Sequence, residues 1–152
     1  MRVIVLGNKI TVQRLTASLV GRDNEMVNLS EVYEVITLMT QENFDLVVVD
    51  GSGKKIGMIC RHVREFDGVP IVLMVGQKQP NWEELQSLGI DGCIPQTANG
   101  AELAARLQAV IRRCLHGTYV RTPVQKRNMN QLERATIDAE YQCYFNTNFM
   151  RN

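Results

Sequence analysis

The chain has 152 residues, of which 45% are hydrophobic and 22% are charged, and its formal net charge at neutral pH is +1. This length accommodates one domain with a substantial core, but it is short for two domains. A charge so close to zero argues against a protein built mainly to coat nucleic acid or an anionic membrane, because such binding depends on concentrated positive charge.

Apolar runs of strand length alternate with segments of helical periodicity along the first three quarters of the chain. The predicted strands are residues 2–7, 25–30, 45–50, 69–75 and 92–95, and the predicted helices are residues 11–20, 32–39, 56–64, 82–88 and 102–115. Continuous Val, Ile and Leu strands are typical of a parallel sheet that helices cover on both faces. The sequence therefore predicts an α/β fold with a doubly wound, five-stranded parallel sheet.

Residues 120–128, VRTPVQKRN, are polar and include Pro123, so we expect a linker there. Residues 131–143 again show apolar residues at helical spacing. We therefore divide the chain into a domain over residues 1–116 and a linker and tail over residues 117–152. The tail is expected to be an interaction or dimerisation helix, a DNA-binding segment, or the joint to a further part of a longer regulator.

In a doubly wound sheet, ligands bind outside the carboxyl ends of the strands. The residues predicted at those ends are Gly7 with Asn8, Asp50, Val75 with Gly76, and Pro95 with Gln96. Asp50 stands out because it ends an apolar strand and precedes the turn GSGKK, which raises the question of a phosphate-binding loop.

The turn after Asp50 does not satisfy the P-loop pattern, G-x-x-x-x-G-K-[ST]. Counting back from Gly53, the first glycine would stand at Val48 and the hydroxyl residue at Lys55. The first strand also lacks the glycine fingerprint of a dinucleotide site. The four cysteines form no C-x-x-C pair, which argues against zinc. We expect neither a cofactor nor a metal ion.

The carboxylate at the end of the central strand, with this number and order of elements, resembles the receiver domain of response regulators, the CheY-like family. The resemblance covers about residues 2–116 and is carried by the stretches ENFDLVVVDG, GVPIVLMVG, EELQSLGIDGCI and GAELAARLQAVIRR. It implies a flavodoxin-like fold with strand order 2-1-3-4-5. It also implies that Asp50 occupies the position that receivers phosphorylate.

The other positions of the receiver site depart from the family pattern. Gly7 and Asn8 stand where the family has an acidic pair that helps to hold magnesium, and Val75 stands where it has a hydroxyl residue. Cys93 stands in place of the aromatic switch residue, and Gln96 in place of the lysine. Phosphoryl transfer to a carboxylate gathers several negative oxygens, so it requires the cations that this chain lacks there. We therefore interpret Asp50 as an inactive phosphoacceptor position that accepts hydrogen bonds from the Gly51–Gly53 turn or caps the following helix.

Three other residues, two histidines and a tryptophan, are candidates for a functional role. His62 and His116 have no neighbouring nucleophile motif, so we expect no catalytic histidine. Trp82 follows Asn81, a predicted helix cap, and lies within helix 4, strand 5 and helix 5, residues 81–115. Receivers commonly pair through that face, so Trp82 is our candidate partner contact.

The sequence thus predicts a pseudo-receiver, which is a non-enzymatic, cytoplasmic signalling module that acts by phosphorylation-independent protein–protein interaction. Its partner would be a signalling protein, an output domain or a second copy bound through residues 81–115, and neither a membrane nor direct nucleic-acid contact is expected. Two alternatives stay open. In the first, a histidine kinase phosphorylates Asp50 through an altered site. In the second, the protein binds DNA through the tail or through an additional output domain and regulates transcription.

Overall fold

Five strands and five helices alternate along the domain, in a computed structural model that describes residues 1–19, 21, 23–51, 56–66, 68–76 and 82–116. The strands are β1 (Arg2–Leu6), β2 (Glu25–Leu29), β3 (Leu46–Asp50), β4 (Ile71–Val75) and β5 (Gly92–Pro95). The helices are α1 (Lys9–Ser18), α2 (Val32–Gln41), α3 (Ile56–Phe66), α4 (Trp82–Ser87) and α5 (Gly100–His116). None of these described helices is both long and apolar enough to cross a membrane.

All neighbouring strands pair in parallel, in the order β2-β1-β3-β4-β5. The predicted fold class and strand order are therefore confirmed. The carboxyl ends of β1, β3, β4 and β5 lie along one edge of the sheet, which is where a doubly wound fold binds its ligands. The predicted linker and tail, residues 117–152, lie outside the described residues.

Two hydrophobic layers enclose the sheet. The α2, α3 and α4 layer contributes Val35, Ile36, Val63 and Leu85 among others, and the α1 and α5 layer contributes Leu15, Leu103, Leu107 and Val110 among others. Alternate residues of the central strand β3 face opposite layers, and all five are buried. Burial on both faces explains why these strands are continuous apolar runs without alternating polar residues.

Several element boundaries differ from the predicted ones by a few residues, and three of these differences have an identifiable reason. α1 begins at Lys9 and α5 at Gly100, each earlier than expected, because an asparagine precedes each first turn: Asn8 accepts from the backbone N–H of Ile10, and Asn99 from that of Glu102. β4 begins at Ile71 because Pro70 has no N–H to donate to the ladder.

Candidate functional site

Asp50 lies at the end of β3 with 5% of its surface exposed. Its carboxylate accepts hydrogen bonds from three uncharged side chains. Asn8 Nδ2 lies 2.8 Å and Thr11 Oγ1 lies 2.9 Å from Asp50 Oδ2, and Gln96 Nε2 lies 2.8 Å from Asp50 Oδ1. We call these three donors, Asn8, Thr11 and Gln96, the amide–hydroxyl cage. The cage brings together the ends of β1, β3 and β5 with the first turn of α1.

The orientation of the Asn8 amide follows from its role as a helix cap. Asn8 Oδ1 accepts from the backbone N–H groups of Ile10 at 2.9 Å and of Thr11 at 3.0 Å. These donors have no partner inside the helix, so a side-chain oxygen at this position satisfies them. With the oxygen turned to the helix, the amide nitrogen points to Asp50. Asn8 therefore serves the helix and the carboxylate at once.

Thr11 is a site residue that the sequence interpretation missed. It lies on the first turn of α1, four residues before Leu15, and both side chains are buried. A polar residue in phase with the apolar face of a helix, directly after a strand end, is the signal that could have identified it. Its hydroxyl has the donor that a buried carboxylate requires.

Gln96 reaches Asp50 from the loop after β5, and the backbone of this loop is fixed from two sides. The backbone N–H of Gln96 donates to the Val75 carbonyl oxygen at 2.7 Å. From α1, the Arg14 guanidinium donates to the carbonyl oxygens of Gln96 and Ala98. The charge of Arg14 is therefore directed to backbone carbonyls in the β5–α5 loop. Arg14 was also missed, because nothing in the sequence spacing links it to a loop more than 80 residues away.

Gly7 leaves little space beside the cage. A Cβ at this position would lie 3.2 Å from the Thr11 side chain and 3.4 Å from Asp50 Cβ. An acidic side chain there would require the Thr11 side chain to move aside by a few tenths of an ångström. The backbone therefore approaches Asp50 closely at the position where the resemblance implies a carboxylate.

The structure places the other predicted site residues around the cage but not in it. Val75 is partly buried and pairs with Pro95 in the sheet. Cys93 is partly buried and packs against the α2–α3 core, and burial raises the pKa of its thiol. Trp82 begins α4, and its side chain lies outside what the structure describes. Partner contact through Trp82 stays a prediction.

The expected donors to Asp50 are corrected in one respect. The Gly51 N–H, which we expected to serve the Asp50 carboxylate, donates instead to the Met74 carbonyl at 2.7 Å. The register of β3 and β4 explains this, because Asp50 and Met74 are paired in the ladder. The rest of that turn, residues 52–55, lies outside the described residues.

The cage does not fit a magnesium ion. Magnesium prefers near-octahedral coordination by oxygen atoms, above all carboxylates. Here Asn8 and Gln96 direct N–H groups at the Asp50 oxygens, and the remaining oxygen of Asn8 is taken by the helix. Within the described residues, no three His, Cys, Asp or Glu side chains are grouped closely enough to share a metal ion.

Replacing Thr11 by valine should lower the free energy of unfolding by about 1–2 kcal/mol, because it removes one donor to a buried carboxylate and keeps the shape of the side chain. Urea denaturation at neutral pH measures this change. Thr16→Val in the same helix is the matched control, since the exposed Thr16 hydroxyl donates only to the Val12 carbonyl. Equal losses in the two variants would contradict a stabilising role of the Thr11–Asp50 contact.

Comparison with other proteins gives two kinds of relative, and no protein-family model matches the chain. The probable transcriptional regulator ycf27 of Cyanophora paradoxa is 24% identical over 135 residues, which cover 84% of this chain and 55% of that protein. The transcriptional regulatory protein CpxR homologue of Haemophilus influenzae is 31% identical over 75 residues, covering 47% of this chain and 33% of that protein. The chain thus matches about half the length of the first relative and a third of the second.

Solved structures resemble the domain over nearly their whole length. The receiver domain of the TMAO respiratory system response regulator TorR superposes with a TM-score of 0.62 at 18% identity, covering 74% of this chain and 97% of that one. A response regulator from Thermotoga maritima gives a TM-score of 0.62 at 20% identity, covering 73% and 97%. The resemblance indicated by the sequence is confirmed, and the described domain has the fold of the response-regulator receiver domains.

Proposed function

We propose that this domain is a pseudo-receiver, a non-enzymatic cytoplasmic signalling module that acts through protein contacts independently of phosphorylation at Asp50. The observation that carries the proposal is the amide–hydroxyl cage. Both oxygens of the Asp50 carboxylate accept hydrogen bonds from neutral donors, and the carboxylate is almost fully buried. A carboxylate held in this way is a structural acceptor.

Phosphoryl transfer to Asp50 would require positive charges, and the described side chains that contact Asp50 do not supply them. The incoming group carries several negative oxygens, and catalysis of such a transfer consists mainly of positioning and of electrostatic stabilisation by cations. The Gln96 amide lies where the resemblance implies a lysine, and the Arg14 guanidinium is directed to backbone carbonyls. Val75 offers no hydroxyl to a phosphoryl oxygen. These contacts therefore support a structural role for Asp50 rather than phosphoryl transfer to it.

The partner surface that we propose is formed by α4, β5 and α5, within residues 81–115. β5 is the outermost strand of the sheet, so its free edge lies between the two helices. α5 packs closely on β5 through Gly92, since a Cβ there would lie 2.6 Å from the Val110 side chain. The contacts of Arg14 and Gln96 connect this surface to the Asp50 edge. The β5–α5 loop thus links the proposed partner surface to the site around Asp50.

Both curated relatives are named as transcriptional regulators, and both extend beyond the matched length. These names support an output in transcription control. We propose that such an output reaches DNA through a protein partner or a further domain, because the chain as a whole is close to neutral.

Incubation of the full chain with acetyl phosphate and magnesium tests the proposal. We expect the mass of the intact protein to stay unchanged, because the described donors to Asp50, Asn8, Thr11 and Gln96, are all neutral. A receiver domain with the complete acidic pair, treated in parallel, shows that the reagent is active. A gain of one phosphoryl group that Asp50→Asn abolishes would overturn the proposal.

A further inference from the structure

A cavity of about 580 Å³ lies between α3 and α4, on the face of the sheet opposite α1 and α5. α3 contributes Gly57, Arg61 and Arg64, and the end of α4 with the following turn contributes residues 86–89. Small-molecule sites typically occupy about 300–1,000 Å³, so the cavity is large enough for a compact ligand. The described part of the Asp50 cage contributes none of these lining residues.

The three residues from α3 share one face of the helix because they are spaced by four and then three positions. Gly57 lies beside Leu88, since a Cβ at residue 57 would be in ordinary contact with the Leu88 side chain, at 3.6 Å. Leu88 is half-buried, while Arg61 and Gln86 are exposed. One side of the cavity is thus apolar and the other carries groups that can donate hydrogen bonds.

The two arginines of this cavity are in different situations. Arg64 is fully engaged: its Nε and Nη1 lie 3.0 Å from the carbonyl oxygens of Gly89 and Val69, and its Nη2 contacts Gly89 and forms an ion pair with Asp91. Within the described part of the chain, the side chain of Arg61 forms no ion pair or hydrogen bond. No carboxylate is among the residues that line the cavity. Among the described residues, Arg61 therefore places a positive charge at the cavity without a counter-charge, beside the apolar side chain of Leu88.

We propose that this cavity binds a small organic oxyanion, a carboxylate or a phosphate ester with an apolar body, and that this ligand is the effector of the proposed signalling module. The guanidinium of Arg61 would donate to the oxyanion, because arginine suits planar recognition of carboxylate and phosphate. Leu88 and the bare backbone at Gly57 would contact the apolar body.

The cavity is coupled to the proposed partner surface through Arg64. Arg64 joins α3 to the turn after α4, where Gly89 has a φ of 68° and a Cβ would lie 2.8 Å from Arg64 Nε. Asp91, the ion-pair partner of Arg64, lies directly before β5. Its carboxylate also accepts a hydrogen bond from the backbone N–H of Ile71 at 2.7 Å. A ligand between Arg61 and the end of α4 would contact the same turn. It can shift the module between two states if it binds one of them more tightly.

Nuclear magnetic resonance titration of the ¹⁵N-labelled full chain tests the site. The probes are phenyl phosphate, benzoate and inorganic phosphate, with neutral benzamide as the matched control. We expect saturable shifts at the amides of Gly57, Arg61 and Gly89 with phenyl phosphate or benzoate, and weaker ones with inorganic phosphate, which lacks the apolar body. Preference for phenyl phosphate or benzoate distinguishes a phosphate source from a carboxylate source. Equal binding of benzamide, or no saturable shift with any anion, would overturn the proposal.

Two arginine variants test the role of the charge. Arg61→Ala should weaken binding of the preferred probe by about tenfold or more, since a charge-assisted hydrogen bond supplies much of the affinity of so small a ligand. Arg106→Ala should leave the affinity unchanged, because Arg106 lies on α5 and pairs with Glu102. Affinity should also fall as salt is added. Equal affinities of the two variants would place the binding elsewhere.

The effector role rests on the proposed function, and hydrogen exchange separates the two. Binding of the preferred probe should change amide exchange in α4 and in residues 89–92, beyond the cavity itself. Binding without such a change would refute the effector role. The acetyl phosphate experiment is independent of the oxyanion probes. Phosphorylation of Asp50 in that experiment would overturn the proposed function without affecting the proposed oxyanion site.

Discussion

Asn8→Asp should lower the free energy of unfolding by about 2–4 kcal/mol at neutral pH, because it places a second carboxylate against the buried carboxylate of Asp50. The Asn8 amide nitrogen now lies 2.8 Å from Asp50 Oδ2 and donates to it. A carboxylate oxygen at that point replaces a hydrogen bond by repulsion between two like charges. Thermal or urea denaturation measures the loss, which should shrink in acid, where the pair takes up a proton.

Asn99→Asp is the matched control for this substitution. Asn99 also precedes a helix, and its side chain accepts from the Glu102 N–H at 2.9 Å, but it is exposed. Asp is as good a helix cap as Asn, so the control should change stability by less than about 0.5 kcal/mol. Magnesium should restore part of the stability of the Asn8→Asp variant and leave the natural chain unchanged, because two adjacent carboxylates form a cation site. Equal effects of the two substitutions would contradict the role of the cage.

Gly51→Ala should lower the free energy of unfolding by about 3 kcal/mol, because its new Cβ would lie 2.5 Å from the Met74 carbonyl oxygen. That oxygen is a backbone atom of β4 and accepts the Gly51 N–H at 2.7 Å. It cannot move aside without parting β3 from β4. The substitution should also displace Asp50. The nuclear magnetic resonance signals of the Asn8 and Gln96 side-chain amides, which donate to Asp50, should therefore shift.

Gly76→Ala tests whether this effect is specific. Gly76 follows β4 at the same edge of the sheet, but a Cβ there would meet only Gln96 Oε1, at 3.9 Å. We expect a change within about 0.5 kcal/mol, as for most exposed substitutions. Chemical denaturation of both variants under one set of conditions makes the comparison. Comparable losses in the two would show that the contact with Met74 does not set the requirement for glycine at residue 51.

The elements of the fold were predictable because each leaves a local pattern. The apolar residues at helical spacing in α2, Val32, Val35, Ile36 and Met39, are all buried, and the apolar strand β3 is buried along its whole length. Errors arose at helix starts, where the capping asparagines Asn8 and Asn99 were not used as boundary signals. Caps are also local, so these errors were avoidable.

The site was predictable only in part. Strand ends meet at one edge of a parallel sheet, so the proximity of Asn8, Asp50 and Gln96 follows from the topology. The hydrogen bonds that these side chains form do not follow from the topology. The sequence suggests that Asp50 lacks a metal site, but it does not reveal that Asn8 would turn its nitrogen to Asp50, or that Arg14 would be drawn to the β5–α5 loop.

The sequence by itself determined the parallel sheet, its two helical layers and the residues missing from a receiver site, because hydrophobic period and residue identity are local properties. Only the tertiary structure decided that Asp50 is enclosed. Its donors lie 42, 39 and 46 residues away along the chain, so their side chains meet only when the strands are in register. The same holds for the α3–α4 cavity, where Arg64 donates to the carbonyl oxygen of Gly89, 25 residues later, and Arg61 lines the cavity.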